Sequence, residues 1–227
     1  MEGKELAFFG KIAAGVTHEL KNVLAIINES NGLMSDLLAM AMEAPFPHRE
    51  RFLRSISKID DQVRRGVDIT TRFNQFAHSM DNPVVSADLN EIVERTVALA
   101  LRFARLKNVE LKAAGSGAPI FAVTSPFRLQ MALTKAVEVC IAALGGPGTI
   151  VLETSNVPSP SLCIGYEGKD GSRPNFRELI CAFSAWQDFL AVADVLDGSV
   201  QWRQDGAGFS LLLGGGLEKE STAQAAR

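Results

Sequence analysis

The sequence is short of cysteine, of histidine, of long apolar runs and of charge of one sign, and each shortage removes a class of function. Its three cysteines, Cys140, Cys163 and Cys181, are widely spaced in apolar surroundings. They read as reduced core residues of a cytosolic chain, not as a disulfide framework or a metal set. Only three histidines occur, His18, His48 and His78, without metal-ligand spacing. No apolar run is long enough to cross a bilayer. The opening MEGKELAFFG lacks the basic-then-apolar order of a secretory signal. A cytoplasmic location without membrane insertion is therefore expected. The formal net charge of -3 supplies no basic field for nucleic acid. Glycine is missing altogether between Ser172 and Asp197.

What is present begins with helical period. Leu6, Phe9, Ala13, Val16, Leu20, Val23, Ile27, Met34 and Leu37 fall on three- and four-residue steps, with Ser30 breaking the apolar seam. This predicts a helix of roughly 55 Å ending near Glu43, before Pro45 and Pro47. A second periodic segment, 49–80, repeats Phe52, Ile56, Ile59, Val63, Thr70, Phe73 and Ala77. Two long helices joined by a short loop predict an antiparallel hairpin. Each stripe stays partly uncovered in a lone hairpin, so a homodimer closing a four-helix bundle is expected.

Composition shifts at Pro83, and residues 82–215 read as a second domain, with 216–227 a flexible tail. Asp88 and Glu91 have capping-box spacing for a helix to about Lys107. Short strands are predicted at 109–113 and 120–123. Ser125 and Pro126 open a further helix that Gly145 and Gly146 close. Strands at 149–154 and 162–166 follow, then a helix over roughly 176–196, then a hairpin of 199–203 and 209–213 around QDGAG. Gly145, Gly146, Gly206 and Gly208 read as turn residues. The pattern predicts an α/β (α+β) sandwich: one mostly antiparallel sheet with helices on one face.

His18 lies two residues from both Val16 and Leu20, about 200° around the helix from each, so it points outward. Asn22 stands one turn later on the same side. A neutral imidazole nitrogen is a nucleophile near working pH. Glu19 can hold the other ring nitrogen or take its proton, and Asn22 can orient a water or a phosphoryl oxygen. Lys11 and Lys21 can draw in an acidic partner. An ordinary solvated polar face explains the same residues. The choice stays open between a surface histidine and a reactive one, and likewise for Arg64, Arg65 and Arg72 between solvated face and acidic-partner patch.

The segment HELKN within GKIAAGVTHELKNVLAIINESNGL resembles the phosphoacceptor motif of two-component sensor histidine kinases. The likeness covers about residues 6–80, the dimerisation and histidine-phosphotransfer hairpin of that family. It implies that His18 carries the phosphoryl group, that Glu19 is its acid/base partner, and that Asn22 matches the residue that positions water for dephosphorylation. Residues 84–214 resemble the family's ATP-binding domain in order and length, with departures. Thr134 and Glu138 stand where two asparagines would help hold magnesium and ATP. Asp170 and Gly171 are the remnant of the adenine-contacting segment, shifted and incomplete. AFSAWQDFL replaces the glycine-rich phosphate loop, and bulky residues keep backbone amides away from a triphosphate. Trp186 and Phe189 are expected to fill the vacated pocket.

The resemblance and its departures together imply a histidine phosphotransferase on a histidine-kinase scaffold, its ATP-binding domain degenerate. Response-regulator receiver domains are the expected partners, bringing Mg2+ with them, and ATP is not expected to bind. An ATP-dependent autokinase or phosphatase, and a non-catalytic dimeric module that binds response regulators, are the alternatives. The absence of a sensor segment points to input through a partner or another part of the gene.

Overall fold

Heptad spacing in the opening residues becomes two long helices in the computed structural model, which describes residues 2–40, 48–81, 83–115, 117–157, 159–168, 176–204 and 206–214. The expected proline connection, the Asp170–Gly171 remnant and the tail at 216–227 lie outside the described residues. The chain divides into two compact units, Met1–Ala77 and His78–Arg227.

In the first unit α1 spans Glu2–Met40 and α2 spans Arg49–His78. They pair antiparallel. Phe8 packs edge-on to Phe76 with ring centroids 5.6 Å apart, and Phe9 stacks on Phe76 at 5.7 Å. Farther along, Val23 lies against Gly66, close enough that a Cβ there would meet Val23 Cγ1 at 3.4 Å. On α1 the buried residues are Phe8, Ile12, Val16, Val23, Ser30 and Leu37, a seam of four- and seven-residue steps.

This seam corrects one expectation, since Leu6 is exposed. Ser30 is buried as the polar member of the seam. On α2 the residues withdrawn from solvent are Phe52, Ser55, Ile59, Gln62, Gly66, Ile69, Phe73, Phe76 and Ala77. Ile56, Val63 and Thr70, expected on that seam, face solvent instead. They belong to a neighbouring stripe with the exposed Leu53 and Val67. Two apolar stripes one residue apart on the same helix blur into one when read from sequence.

The second unit holds β1 Val85–Asp88, α3 Leu89–Arg105, β2 Val109–Ala114, β3 Phe121–Thr124, α4 Pro126–Leu144, β4 Gly148–Ser155 and β5 Ser161–Gly168, followed by α5 Phe176–Cys181, α6 Ser184–Val195, β6 Gly198–Trp202 and β7 Gly208–Leu213. Among the described residues the strands form two sheets, not one. β1 pairs antiparallel with β3, and the larger sheet has the order β2-β4-β5-β7-β6. Its β2–β4 pair is parallel and the rest antiparallel. The expected helix over 176–196 is interrupted at Ala182 and Phe183, where neither glycine nor proline announces a break.

Local chemistry explains the helix starts. Asp88 caps α3 by accepting from the Asn90 amide at 3.0 Å, and it also accepts from the Ile120 amide at 3.2 Å. Glu91 turns to Arg95 at 2.5 Å. Asn90 ties α3 to two neighbours: its side-chain nitrogen donates to the Ala118 carbonyl, and its oxygen accepts from the Thr154 hydroxyl. Ser125 and Pro126 open α4, and Gly145 closes it in the left-handed region at φ 59°.

The core lies between the larger sheet and helices α3, α4 and α6. Alternate residues on β2, β4, β5 and β7 enter it: Leu111, Ile150, Leu152, Ile164, Phe209 and Leu211 are among the buried ones. Cys140 is buried, Cys163 half-buried and Cys181 exposed, so only the first is a core thiol in the full sense. Gly208 is not a turn residue. It sits in β7 opposite Gly165, where a Cβ would lie 2.1 Å from the Ile164 carbonyl oxygen.

Gly208→Ala is expected to destabilise the second unit by about 1–3 kcal/mol, the cost of forcing a carbon into packed surroundings. Gly10→Ala meets nothing within 4 Å and is expected to stabilise α1 by up to about 1 kcal/mol. Both tryptophans, Trp186 and Trp202, lie in the second unit, so denaturant titration followed by their fluorescence reads the first change. Far-ultraviolet dichroism reads the second. An unchanged fluorescence midpoint in Gly208→Ala would remove the close-approach account.

Burial pushes the Cys140 thiol well above its ordinary range, which keeps it protonated and unreactive. At about pH 8, below the usual thiol value, iodoacetamide is expected to alkylate the exposed Cys181 and spare Cys140 until denaturant is added. Peptide mass spectrometry would read this, and early modification of Cys140 would contradict its burial.

Candidate functional site

The uninterrupted helical period of α1 fixes where His18 points. Val16 and Val23 are buried and Leu20 is half-buried, while His18 and Asn22 are exposed. Residues four apart lie one above the other on a helix. The Asn22 amide nitrogen accordingly sits 3.3 Å from His18 Nδ1. Nδ1 is thereby engaged from within the helix, and Nε2 is the nitrogen left to an incoming group. Thr17, just before, is satisfied inside the helix by donating to the Ala13 carbonyl at 2.8 Å. Glu19 is half-buried, and Lys11 and Lys21 are exposed.

Of Arg64, Arg65 and Arg72 on α2, two are committed to ion pairs. Arg64 pairs with Asp60, and Arg72 pairs with Asp68 at 3.0 Å. Arg65 is exposed. Exposed pairs of this kind contribute little to stability, and they offset the positive charge that the sequence shows.

His18 and Asn22 thus meet on one face of α1, and Glu19 is the next residue along the chain. The other sequence-derived positions belong to the second unit. Thr134, on α4, is buried and donates to the Gln130 carbonyl at 2.8 Å. Glu138, one turn later and half-buried, accepts from Lys135 at 3.3 Å. Asp170 and Gly171 lie outside the described residues.

Trp186 and Phe189 are both buried. Their rings stack at 5.0 Å, and Trp186 also meets Phe209 edge-on at 5.0 Å and Trp202 at 5.2 Å. Arg177 lies over the Trp202 ring at 5.8 Å. Four aromatic rings therefore join α6 to the β6–β7 hairpin. Offset and edge-on contacts of this kind add to burial alone.

One arrangement escaped the sequence reading. His78 Nδ1 lies 2.7 Å from Asp81 Oδ2. The signal was available as a histidine and an aspartate three apart at the end of a helix. Among the described residues no cluster of three or more side chains is arranged to hold a metal ion. None of the helices described is long and apolar enough to cross a membrane.

No protein-family model matches the sequence, and no curated protein does. Solved structures of histidine-kinase parts are similar to it. The catalytic domain of histidine kinase ThkA is 16% identical over 57% of this chain and 94% of its own, with a TM-score of 0.44. Acinetobacter baumannii histidine kinase AdeS is 13% identical over 87% of this chain and 98% of its own, again at 0.44. A bacterial phosphotransferase is 12% identical over 90% of this chain and 95% of its own, at 0.42. At such scores these likenesses do not say what this chain does, and its chemistry has to be read from its own residues.

Proposed function

We propose that this chain is a histidine phosphotransfer protein of two-component signalling, with His18 as the phosphoacceptor. The observation that carries the reading is the exposed His18 imidazole. Its Nδ1 is engaged by Asn22, and its Nε2 is open, within HELKN on a long paired helix. A receiver domain carrying an aspartyl phosphate docks beside α1. While Nδ1 accepts from Asn22 the ring proton sits on Nε2; it passes to water as Nε2 attacks phosphorus in line and the aspartate carboxylate departs. Return of the phosphoryl group to a second receiver is the same step reversed. Positioning supplies most of the catalysis. Magnesium belongs to the receiver's acidic pocket. Glu19 is the nearby acid/base group, and with water held by Asn22 the same geometry serves dephosphorylation.

Several features support phosphotransfer without ATP. Thr134 is turned into the core and bonded to the backbone, and the carboxylate of Glu138 is paired with Lys135. Trp186 and Phe189 are packed among aromatic rings where the resemblance would put an open glycine-rich loop. The unit that includes β1 to β7 then serves as a degenerate scaffold rather than a nucleotide site.

The chain acts as a homodimer in this reading. Leu53, Ile56, Val63 and Val67 form an exposed apolar stripe on α2 at heptad-like steps, the pattern that a second hairpin covers to make a four-helix bundle.

Incubation with radiolabelled ATP in one tube and with labelled phospho-receivers in another tests the reading. Label is expected on the chain only in the second tube, and it should vanish in His18→Ala. Because His18 is exposed, that variant should melt within a degree or so of the wild type, which separates lost chemistry from lost folding. Label from ATP would make the chain an autokinase. Receiver binding without label would leave a binding module. In light scattering, Val63→Lys combined with Val67→Lys is expected to turn a dimer into a monomer, and a wild-type monomer would end the four-helix-bundle part.

A further inference from the structure

We propose that Asn22 is a positioning residue that sets how long His18 holds a phosphoryl group. From the proposed function this takes only that His18 accepts phosphate. The Asn22 amide nitrogen faces His18 Nδ1 at 3.3 Å, and an amide nitrogen can only donate. A ring whose Nδ1 accepts that hydrogen bond keeps its lone pair there and its proton on Nε2, and phosphorus takes the place of that Nε2 proton.

The lifetime follows from leaving-group chemistry. When water attacks phosphorus, the P–Nε2 bond breaks and its electron pair returns to Nε2. If Nδ1 already carries a proton, the departing ring is neutral imidazole. If Nδ1 carries a lone pair, the ring departs as imidazolate unless a proton arrives, and departure is slow. A donor at Nδ1 opposes that protonation, and a carboxylate at Nδ1 promotes it. Both arrangements exist in this chain. His18 Nδ1 faces the Asn22 donor, whereas His78 Nδ1 faces Asp81 Oδ2 at 2.7 Å. Glu19 and Lys21 flank His18 on its own helix with opposite charges. His18 is arranged to keep a phosphoryl group until a second receiver arrives, and His78 is arranged to lose one.

Phosphoramidate tests this without any partner. The P–N bond of the reagent breaks, the Nε2–P bond forms, and the ring proton leaves with ammonia as ammonium. Full-length chains retaining either His18 or His78 as their sole histidine are phosphorylated at fixed near-neutral pH and freed of reagent. Decay is then followed by phosphorus NMR, and long-range proton–nitrogen spectra report whether Nδ1 carries a proton. Phospho-His18 should outlast phospho-His78. Asn22→Ala should shorten the life of phospho-His18 roughly two- to tenfold, the factor that one net hydrogen bond supplies. Asn22→Asp should shorten it further and move Nδ1 toward its protonated shift. Asp81→Asn should lengthen the life of phospho-His78, the reciprocal change.

An equal or longer life for phospho-His18 in Asn22→Ala or Asn22→Asp overturns the proposal. So does failure of His18 to take phosphate under conditions where His78 does. If the lifetimes order as expected but no receiver exchanges phosphate with the chain, the role of Asn22 stands and the relay reading falls.

Discussion

A helix that commits one stripe of side chains to its partner turns the opposite stripe to water, and that constraint governs the first unit. Phe8, Ile12, Val16 and Val23 of α1 are buried, and Phe8 and Val23 meet Phe76 and Gly66 of α2. The same winding carries His18 and Asn22 to the outer side. It stacks them one turn apart, which closes the contact between the amide and the ring. A rigid helix positions such a pair more narrowly than a loop would. The seam is not uniformly apolar. Ser30 and Ser55 are buried in it, and the Gln62 side-chain oxygen is buried there without a hydrogen-bond partner. A buried unsatisfied group of that kind costs about 1–3 kcal/mol, so the middle of the hairpin is held less firmly than its phenylalanine end.

The second unit depends on a different device. Its larger sheet alternates along most of its length, so that Ile150, Leu152, Ile164 and Leu211 enter the core while Glu110, Lys112 and Glu153 are directed to the open face. The open face carries weak charge pairs, Lys112 with Glu110 at 3.1 Å and Arg203 with Glu153 at 3.8 Å. Gly208 lets β7 approach β5 where a side chain would collide with the Ile164 carbonyl. The next residue, Phe209, meets the rings of Trp186 and Phe189 on the core side of the sheet.

Much of this was legible in the sequence, for stated physical reasons. The long helices follow from three- and four-residue steps, and the α4 cap follows from Ser125, Pro126 and Gly145. The stacking of His18 and Asn22 follows from their spacing. What escaped the reading was what period alone does not distinguish. Ile56 and Val63 share the α2 surface with Phe52 and Ile59, and a shift of one residue separates the exposed stripe from the buried one. The separate β1–β3 pair and the parallel β2–β4 pair depend on register between distant segments. Which nitrogen of His18 the amide engages is set by side-chain geometry that spacing does not encode.

The polar side chains of α4 bear on whether that helix keeps anything for a ligand. A polar side chain kept for a ligand is left short of partners when the ligand is gone, and burial makes that shortage costly. Thr134 has its hydroxyl donated to the backbone of its own helix, and Glu138 has its charge matched by Lys135 three residues earlier. Trp186 and Phe189 are packed against each other and against the rings of Trp202 and Phe209. Gln130 departs from the pattern, with one amide oxygen buried and unpartnered although its nitrogen donates to the Pro126 carbonyl at 3.2 Å. Thr134, Glu138, Trp186 and Phe189 are thus provided for within the fold. The exposed imidazole of His18, by contrast, has one nitrogen held and the other offered to whatever docks against α1. That asymmetry is why the proposed chemistry is sought on the hairpin.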